Sequence, residues 1–166
     1  MLNRISTNST NQAEEAVRLL GEMLGFDATR PDNVTTGKGP DVLWVDNQTN
    51  EILAFELKTN KSIPTRYKKD DIGQGHNHIH WINEQYQDYN LVGLVFIGPK
   101  IGDVEDKASP SKNMYFTDID KTKALMGEVT SLLSDLLRLT PLDRSAEMQS
   151  RSQEPKWKMS ALLKRL

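Results

Sequence analysis

Apolar side chains recur every three to four residues in three parts of the chain, which predicts three amphipathic helices. The first lies within residues 6–26, the second covers about 72–89, and the third, residues 120–139, has the strongest periodicity. Gly25 would end the first helix and Pro141 the third. The three helices supply apolar faces that need a sheet or another helix to cover them.

Shorter apolar runs predict the strands of a central sheet. Residues 41–46 and 51–59 are joined by the turn sequence NQTN, so we expect an antiparallel hairpin. Residues 91–98 and 113–119 supply two further strands, separated by a polar loop, and one short strand is expected within residues 27–40. This order of helices and strands indicates an α/β fold, with a mixed central sheet flanked by helices on both faces.

The chain of 166 residues has the length of about one domain. We expect a domain over residues 1–140, followed by a basic extension, residues 141–166, in which a polar hinge leads to a short, loosely attached helix. The absence of cysteine excludes disulfides and thiolate zinc sites. No apolar run reaches the ~20 residues of a membrane span, and the N-terminus lacks the apolar core of a secretory signal. We therefore expect no membrane association and a cytoplasmic location.

Charged residues stand at the open end of the expected hairpin. Strand alternation puts Glu56 and Lys58 on one face, and antiparallel pairing brings Asp41 opposite the end of the second strand. Two half-buried carboxylates repel each other unless a cation lies between them, and carboxylate oxygens suit Mg²⁺ or Mn²⁺. The carbonyl of Leu57 is a further candidate ligand, and an ammonium at Lys58 can orient water or stabilise a phosphoryl transition state. The plainer interpretation is a turn residue and two edge-strand charges.

The segments GPDVLW and FELK, separated by a turn, resemble the PD-(D/E)XK nuclease superfamily through Pro40-Asp41 and Glu56-Leu57-Lys58. The resemblance covers roughly residues 12–98 and extends to nuclease domains of bacterial helicase and defence proteins. It implies a restriction endonuclease-like αβββαβ core with extra C-terminal helices. It also implies that Asp41, Glu56 and Leu57 bind a Mg²⁺ or Mn²⁺ ion and that Lys58 positions the attacking water.

Two further site residues follow from the same resemblance. Gln74, near the start of the second helix, would position Lys58 or the substrate backbone. A glutamate on the first helix would complete the metal shell, and we expect Glu14 rather than Glu15. Glu14 has an alternative role as the third residue of a capping box with Asn11, while Ser9 with Gln12 would form a competing box.

Basic residues directly after the trio are the candidates for binding nucleic acid. A net charge of −2 gives no global attraction to a polyanion, so such contacts need a local patch. The patch expected to contact phosphates consists of Lys61, Arg66, Lys68 and Lys69.

The three histidines all lie in the segment GHNHIH. His76, His80 and Glu84 have the helical spacing of a zinc site, but they lie mostly opposite the expected core face. We expect exposed polar surface there, and we expect Trp81 to be packed rather than stacked on a base.

The sequence therefore predicts a metal-dependent nuclease, an endonuclease acting on DNA in bacterial or phage defence or in DNA processing. Two alternatives stay open: a catalytically silent module that binds DNA or a partner protein, and a structural domain that assembles through its C-terminal helices. Besides DNA, the expected partners are a second copy of the chain or a larger helicase or defence complex.

Overall fold

The computed structural model describes residues 9–34 and 37–166. Its regular elements follow the predicted order, with two further helices and two very short strands added. The helices are α1 (Thr10–Met23), α2 (Pro31–Val34), α3 (Lys69–Gln85), α4 (Ile119–Leu137), α5 (Pro141–Ser152) and α6 (Met159–Arg165), and the strands are β1 (Asp27–Thr29), β2 (Val42–Asp46), β3 (Glu51–Leu57), β4 (Arg66–Tyr67), β5 (Asn90–Gly98), β6 (Asp103–Val104) and β7 (Met114–Asp118).

The central sheet has five strands in the order β1-β2-β3-β5-β7. The pairs β1/β2 and β2/β3 are antiparallel, whereas β3/β5 and β5/β7 are parallel. The predicted hairpin is confirmed, with Val42 opposite Phe55 and Asp46 opposite Glu51. The prediction of an α/β fold with a mixed sheet is therefore confirmed.

Helices cover both faces of this sheet. Leu53, Phe55 and Leu57 of β3 belong to a core shared with α1, α4 and α6, while Ile52 and Ala54 belong to a second core shared with α3. Side chains alternate between the two faces of a strand. Glu56 consequently points toward the α3 side, where it is buried.

Helix α3 begins and ends earlier in the chain than the predicted bounds of 72 and 89. Asp71 Oδ2 accepts a hydrogen bond of 2.7 Å from the Lys68 amide, so α3 begins at Lys69. The helix ends at Gln85, before the non-helical Tyr86.

The two strands β4 and β6, in segments expected to be loops, pair with each other in parallel.

The N-terminus of α1 has neither of the predicted capping boxes. Ser9 is the N-cap residue but makes no side-chain cap hydrogen bond. Asn11 instead accepts a hydrogen bond of 2.6 Å from Arg30, which also pairs with Glu14. Gly25 follows the helix with φ of 91°, a left-handed conformation that suits glycine and ends the helix as predicted.

The C-terminal segment is attached more firmly than the sequence predicts. The expected hinge forms α5, in which Pro141 is the first residue and Thr140 caps the amide of Asp143. After α5, Trp157, Met159 and Leu162 are buried in the core against the sheet. The prediction of a loosely attached helix is therefore wrong, because its apolar side chains complete that core.

Among residues 9–34 and 37–166, no helix has the length and hydropathy that crossing a membrane requires.

Candidate active site at the open end of the hairpin

Asp41 directly precedes β2 and lies beside the end of β3. Because Val42 pairs with Phe55, the preceding residue Asp41 lies opposite Glu56. Asp41 Oδ2 accepts a hydrogen bond of 2.6 Å from the amide of Leu57. Burial, followed by the negative charge of Glu56, raises the pKa of Asp41 to about 7. The two carboxylates are thus close enough to oppose each other's ionisation.

Glu56 is 1% exposed and is held from two sides. Its Oε1 atom lies 2.8 Å from Lys58 Nζ, and its Oε2 atom lies 3.1 Å from His78 Nε2. Burial alone would raise the pKa of Glu56, but His78 and Lys58 together lower it below the ordinary value. The pair therefore carries its negative charge on Glu56, while Asp41 takes up a proton more readily.

Lys58 is fixed between the sheet and α3. Its Nζ atom donates a hydrogen bond of 2.8 Å to Gln74 Oε1, in addition to its contact with Glu56. Its backbone amide donates to Ile97 O at 2.9 Å, which extends the pairing of β3 with β5. The structure thus brings together Asp41, Glu56, Lys58 and Gln74, with the amide of Leu57 bound to the first of these.

His78 is a site residue that the sequence analysis missed. It is 3% exposed, and its Nδ1 lies 3.3 Å from the carbonyl oxygen of Lys38. Burial would lower the pKa of His78, but its contacts with Glu56 outweigh that effect and raise it. The helical spacing indicates that His78 lies on the buried face of α3, because it follows the buried Gly75 by three residues and precedes the buried Ile82 by four.

The other two histidines lie apart from this centre. His80 Nε2 is 3.3 Å from Glu84 Oε1 in an exposed pair, while His76 Nε2 lies 2.9 Å from the carbonyl oxygen of Ser109. The predicted exposed surface is confirmed for these residues. Trp81 is half-buried, with its ring centroid 6.2 Å from that of Tyr86, so it is packed as predicted.

The structure places Glu14, and not Glu15, near the acidic centre. Glu14 is buried and pairs with Arg30. Its pKa is raised by burial first, against the effect of Arg30, and the charges of Asp32 and Glu56 add to the rise. Glu15 instead pairs with Arg18 at 2.8 Å on a more exposed part of α1.

The predicted phosphate-contacting patch lies at β4 and the first turn of α3. Arg66, Lys68 and Lys69 are exposed. Lys61 Nζ lies 2.8 Å from Asp71 Oδ2, so an acidic partner offsets part of its charge. Asp71 and Gln74 are three residues apart on α3 and therefore share one helix face. The contacts of Lys61 with Asp71 and of Lys58 with Gln74 thus lie along the same face.

A cleft of about 380 Å³ opens between α3 and the loop before β2. Lys38 lines one side, while Gln74, Asn77, His78 and Trp81 line the other. Gln74 and His78 reach from this cleft to Lys58 and Glu56 respectively. A ligand in the cleft would therefore approach the charged residues at the end of the hairpin.

The donor chemistry at the hairpin end suits a divalent cation. In the described part of the chain, no group of three or more His, Asp or Glu side chains that could hold a metal ion is found. However, Glu56 Oε2 is buried without an aligned hydrogen-bond partner among these residues, and a second carboxylate lies beside it. A cation near both oxygens would relieve their repulsion and satisfy the buried atom.

Comparison of the chain with protein-family models, curated proteins and solved structures finds no match in any of the three.

Proposed function

We propose that this protein is a metal-dependent nuclease of the PD-(D/E)XK superfamily, which hydrolyses DNA phosphodiester bonds with Mg²⁺ or Mn²⁺. The observation that carries the proposal is the meeting of Asp41, Glu56 and Lys58 at the end of a buried hairpin. The order of α1, β1, β2, β3, α3 and β5 supports the assignment of a restriction endonuclease-like αβββαβ core.

In this proposal Asp41 and Glu56 hold the ion, with the carbonyl of Leu57 as a further ligand and Glu14 in the outer shell. The bound ion supplies Lewis-acid chemistry, activating water and neutralising charge on a phosphoryl oxygen. Burial and the charge of Glu56 raise the pKa of Asp41 to about 7, so Asp41 would lose its proton more readily with a cation held between the two carboxylates. Without the ion, the protein holds the carboxylates of Asp41 and Glu56 close together, and their repulsion costs free energy.

Lys58 positions the attacking water and stabilises the extra negative charge of the pentavalent phosphate. Glu56 Oε1 and Gln74 Oε1 both lie 2.8 Å from its Nζ, so the ammonium is oriented before the substrate binds. Such orientation reduces the rearrangement that is needed as charge develops in the transition state.

The phosphodiester substrate would lie along the cleft beside α3, with its flanking phosphates at Arg66, Lys68 and Lys69. Lys61 joins this patch, although its pairing with Asp71 reduces its share of the attraction. Because the overall charge is −2, electrostatic attraction to DNA would depend on local patches such as this one.

Assembly with a second copy, or with a helicase or defence complex, is also part of the proposal. Leu137 near the end of α4 is 68% exposed and Leu142 on α5 is 83% exposed. Contiguous exposed apolar patches mark protein contact surfaces, so these two leucines at the junction of α4 and α5 are the candidate contact residues.

Incubation with supercoiled plasmid, linear duplex, single-stranded DNA and RNA in Mg²⁺ or Mn²⁺ tests the activity. We expect cleavage of DNA that EDTA abolishes, and a loss of at least about 100-fold in Lys58→Met. Lys164→Met, which changes an exposed lysine on α6 at the opposite face of the sheet from α3, serves as the matched control. Metal-dependent DNA retention without cleavage would favour the silent binding module, while cleavage that is unchanged in Lys58→Met would contradict the assigned site.

A further inference from the structure

We propose that the cleft between α3 and the loop before β2 binds one unpaired nucleobase of the DNA substrate, so that the protein acts on single-stranded DNA in preference to duplex DNA. This inference rests on the proposed function and specifies the class of substrate that the site accepts. The base lies against Trp81 and Asn77, beside the phosphodiester bond that Lys58 faces.

The first support is the size of the cleft. Its volume of about 380 Å³ lies near the lower end of the ~300–1,000 Å³ that is typical of small-molecule sites. A single nucleotide fits a space of this size, whereas B-DNA, whose major groove alone is about 12 Å wide, is too broad to enter it. Pairing and stacking keep each base inside the duplex, so a base reaches the cleft only when it is unpaired.

The second support is an aromatic ring that is fixed beside the cleft. Trp81 lines the cleft and is only half-buried, although its ring packs edge-on against Tyr86 with the centroids 6.2 Å apart. A Cβ atom at Gly39 would lie 3.3 Å from two carbons of the indole, so the ring also packs close to that backbone. Packing therefore fixes the ring without covering it. An aromatic ring of this kind is a platform on which a base of any sequence stacks.

The third support is the polarity of the cleft wall. Asn77 is exposed there, and its side-chain amide has no hydrogen-bond partner within residues 9–34 and 37–166. An amide offers a donor and an acceptor, which match the groups on the edge of a base. Lys38 and Glu84 line the cleft with opposite charges, so together they give no net attraction to a phosphate. A neutral base therefore suits this wall better than a phosphate does.

The fourth support is the position of the cleft along α3. Lys69 is the first residue of the helix, and Asn77 follows about 12 Å further along the axis, at a rise of about 1.5 Å per residue. Gln74, which contacts Lys58, lies between them. A strand that runs along α3 therefore places phosphates at the exposed basic residues, the reacting bond beside Lys58 and a base in the cleft.

Tryptophan fluorescence during titration with a thymidine oligonucleotide of about 16 nucleotides tests this inference, in EDTA so that no strand is cut. Of the three tryptophans, Trp44 and Trp157 are at most 8% exposed and lie in the core on the opposite face of the sheet from α3. Quenching by a stacked base therefore reports on Trp81. We expect saturable quenching by the single strand, and binding of a duplex of the same length that is at least about tenfold weaker.

The anisotropy of a labelled oligonucleotide measures the affinity of variants. Trp81→Ala should weaken binding at least about tenfold, while Trp81→Phe should keep most of the affinity and lose most of the quenching. Asn77→Ala should weaken binding about threefold through the loss of a hydrogen bond to the base. Asn83→Ala, which changes an exposed asparagine on another face of the same helix, is the matched control and should bind normally.

The outcomes separate this inference from the proposed function. Equal affinity for single strand and duplex, binding without quenching, or no binding of either would overturn the role of the cleft, while cleavage with Mg²⁺ or Mn²⁺ would still support the nuclease. A preference for the single strand with quenching, in a protein that cleaves no nucleic acid, would support the cleft and count against the nuclease. Unchanged affinity in Asn77→Ala and Trp81→Ala would also overturn the inference. Because Asn77 is exposed and Trp81→Phe preserves the packing, these variants decide the point even where Trp81→Ala fails to fold.

Discussion

Lys58, the residue directly after β3, donates a hydrogen bond of 2.8 Å to Gln74 on α3. This contact joins the last residue of the ExK segment to the helix that follows it, and the same Nζ atom also contacts Glu56. The contact with Gln74 therefore determines where the Lys58 ammonium points, while the position of Lys58 at the end of β3 determines how deeply it is buried.

Gln74→Ala should reduce turnover because Lys58 loses one of the two oxygens that orient it. We expect a decrease in kcat on the order of tenfold, with metal affinity unchanged, since Gln74 would not touch the ion. Steady-state cleavage kinetics and calorimetric metal titration separate the two effects. Gln85→Ala, at the exposed end of the same helix, is the matched control, and an equal loss in both variants would show that Gln74 has no positioning role.

Asp41→Asn should stabilise the metal-free protein at high pH. Burial raises the pKa of Asp41 to about 7, so between about pH 4 and 7 the folded state holds a proton that the unfolded chain has released. The free energy of unfolding of the unmodified protein therefore falls as the pH rises through this window. Asparagine carries no charge and can still accept from the Leu57 amide.

Urea unfolding in EDTA at pH 5 and pH 8 measures this difference. We expect Asp41→Asn to exceed the unmodified protein by roughly 1–3 kcal/mol at pH 8, with a smaller difference at pH 5. A difference that is the same at both pH values would refute the assigned protonation of Asp41. Asp46→Asn, at the other end of β2, provides a control at a less buried carboxylate.

Arg30→Ala should destabilise the protein because it leaves the buried Glu14 without its cation, near the charges of Asp32 and Glu56. Loss of one partner of a buried ion pair costs about 2–4 kcal/mol at sites with this degree of burial. Replacing Glu14 by Gln in the same chain should recover part of that loss, since a neutral amide needs no counter-ion. A double-mutant cycle by chemical denaturation measures the coupling, and strictly additive effects would contradict it.

Leu162→Ala should destabilise the protein through a cavity in the core on the α1, α4 and α6 side of the sheet. Leu162 is fully buried there, so we expect a loss of about 2–5 kcal/mol in the free energy of unfolding. Leu142→Ala on α5 removes the same atoms from a side chain that is 83% exposed and should cost less than about 0.5 kcal/mol. Equal small effects on thermal unfolding would indicate that α6 is loosely attached after all.

The hairpin and the main helices could be predicted because their patterns are local. Alternating apolar residues in β3 and the turn before it fix both the pairing with β2 and the face that carries Glu56. The docking of α6 was missed although Met159, Leu162 and Leu166 recur at helical spacing, because that pattern does not show which surface the segment will cover. Its attachment depends on Trp157 and Leu162 meeting a core built from distant parts of the chain.

Part of the candidate site could also be predicted, because the patterns that place those residues are local. Asp41, Glu56 and Lys58 follow from strand alternation, and Gln74 was expected to position Lys58, the residue it contacts. His78 could not be predicted from the spacing of His76 and His80, because those two share an exposed face of α3, whereas His78 lies on the face toward the sheet. The role of Arg30 as the partner of Glu14 depends on how β1 returns beside α1, which no local pattern shows.

The most direct test of the central claim is anomalous diffraction from crystals of the protein grown with MnCl₂. The account predicts one strong manganese peak within about 2.5 Å of carboxylate oxygens of both Asp41 and Glu56. A manganese ion bound only at another place, or an end of the hairpin without manganese at saturating MnCl₂, would contradict it.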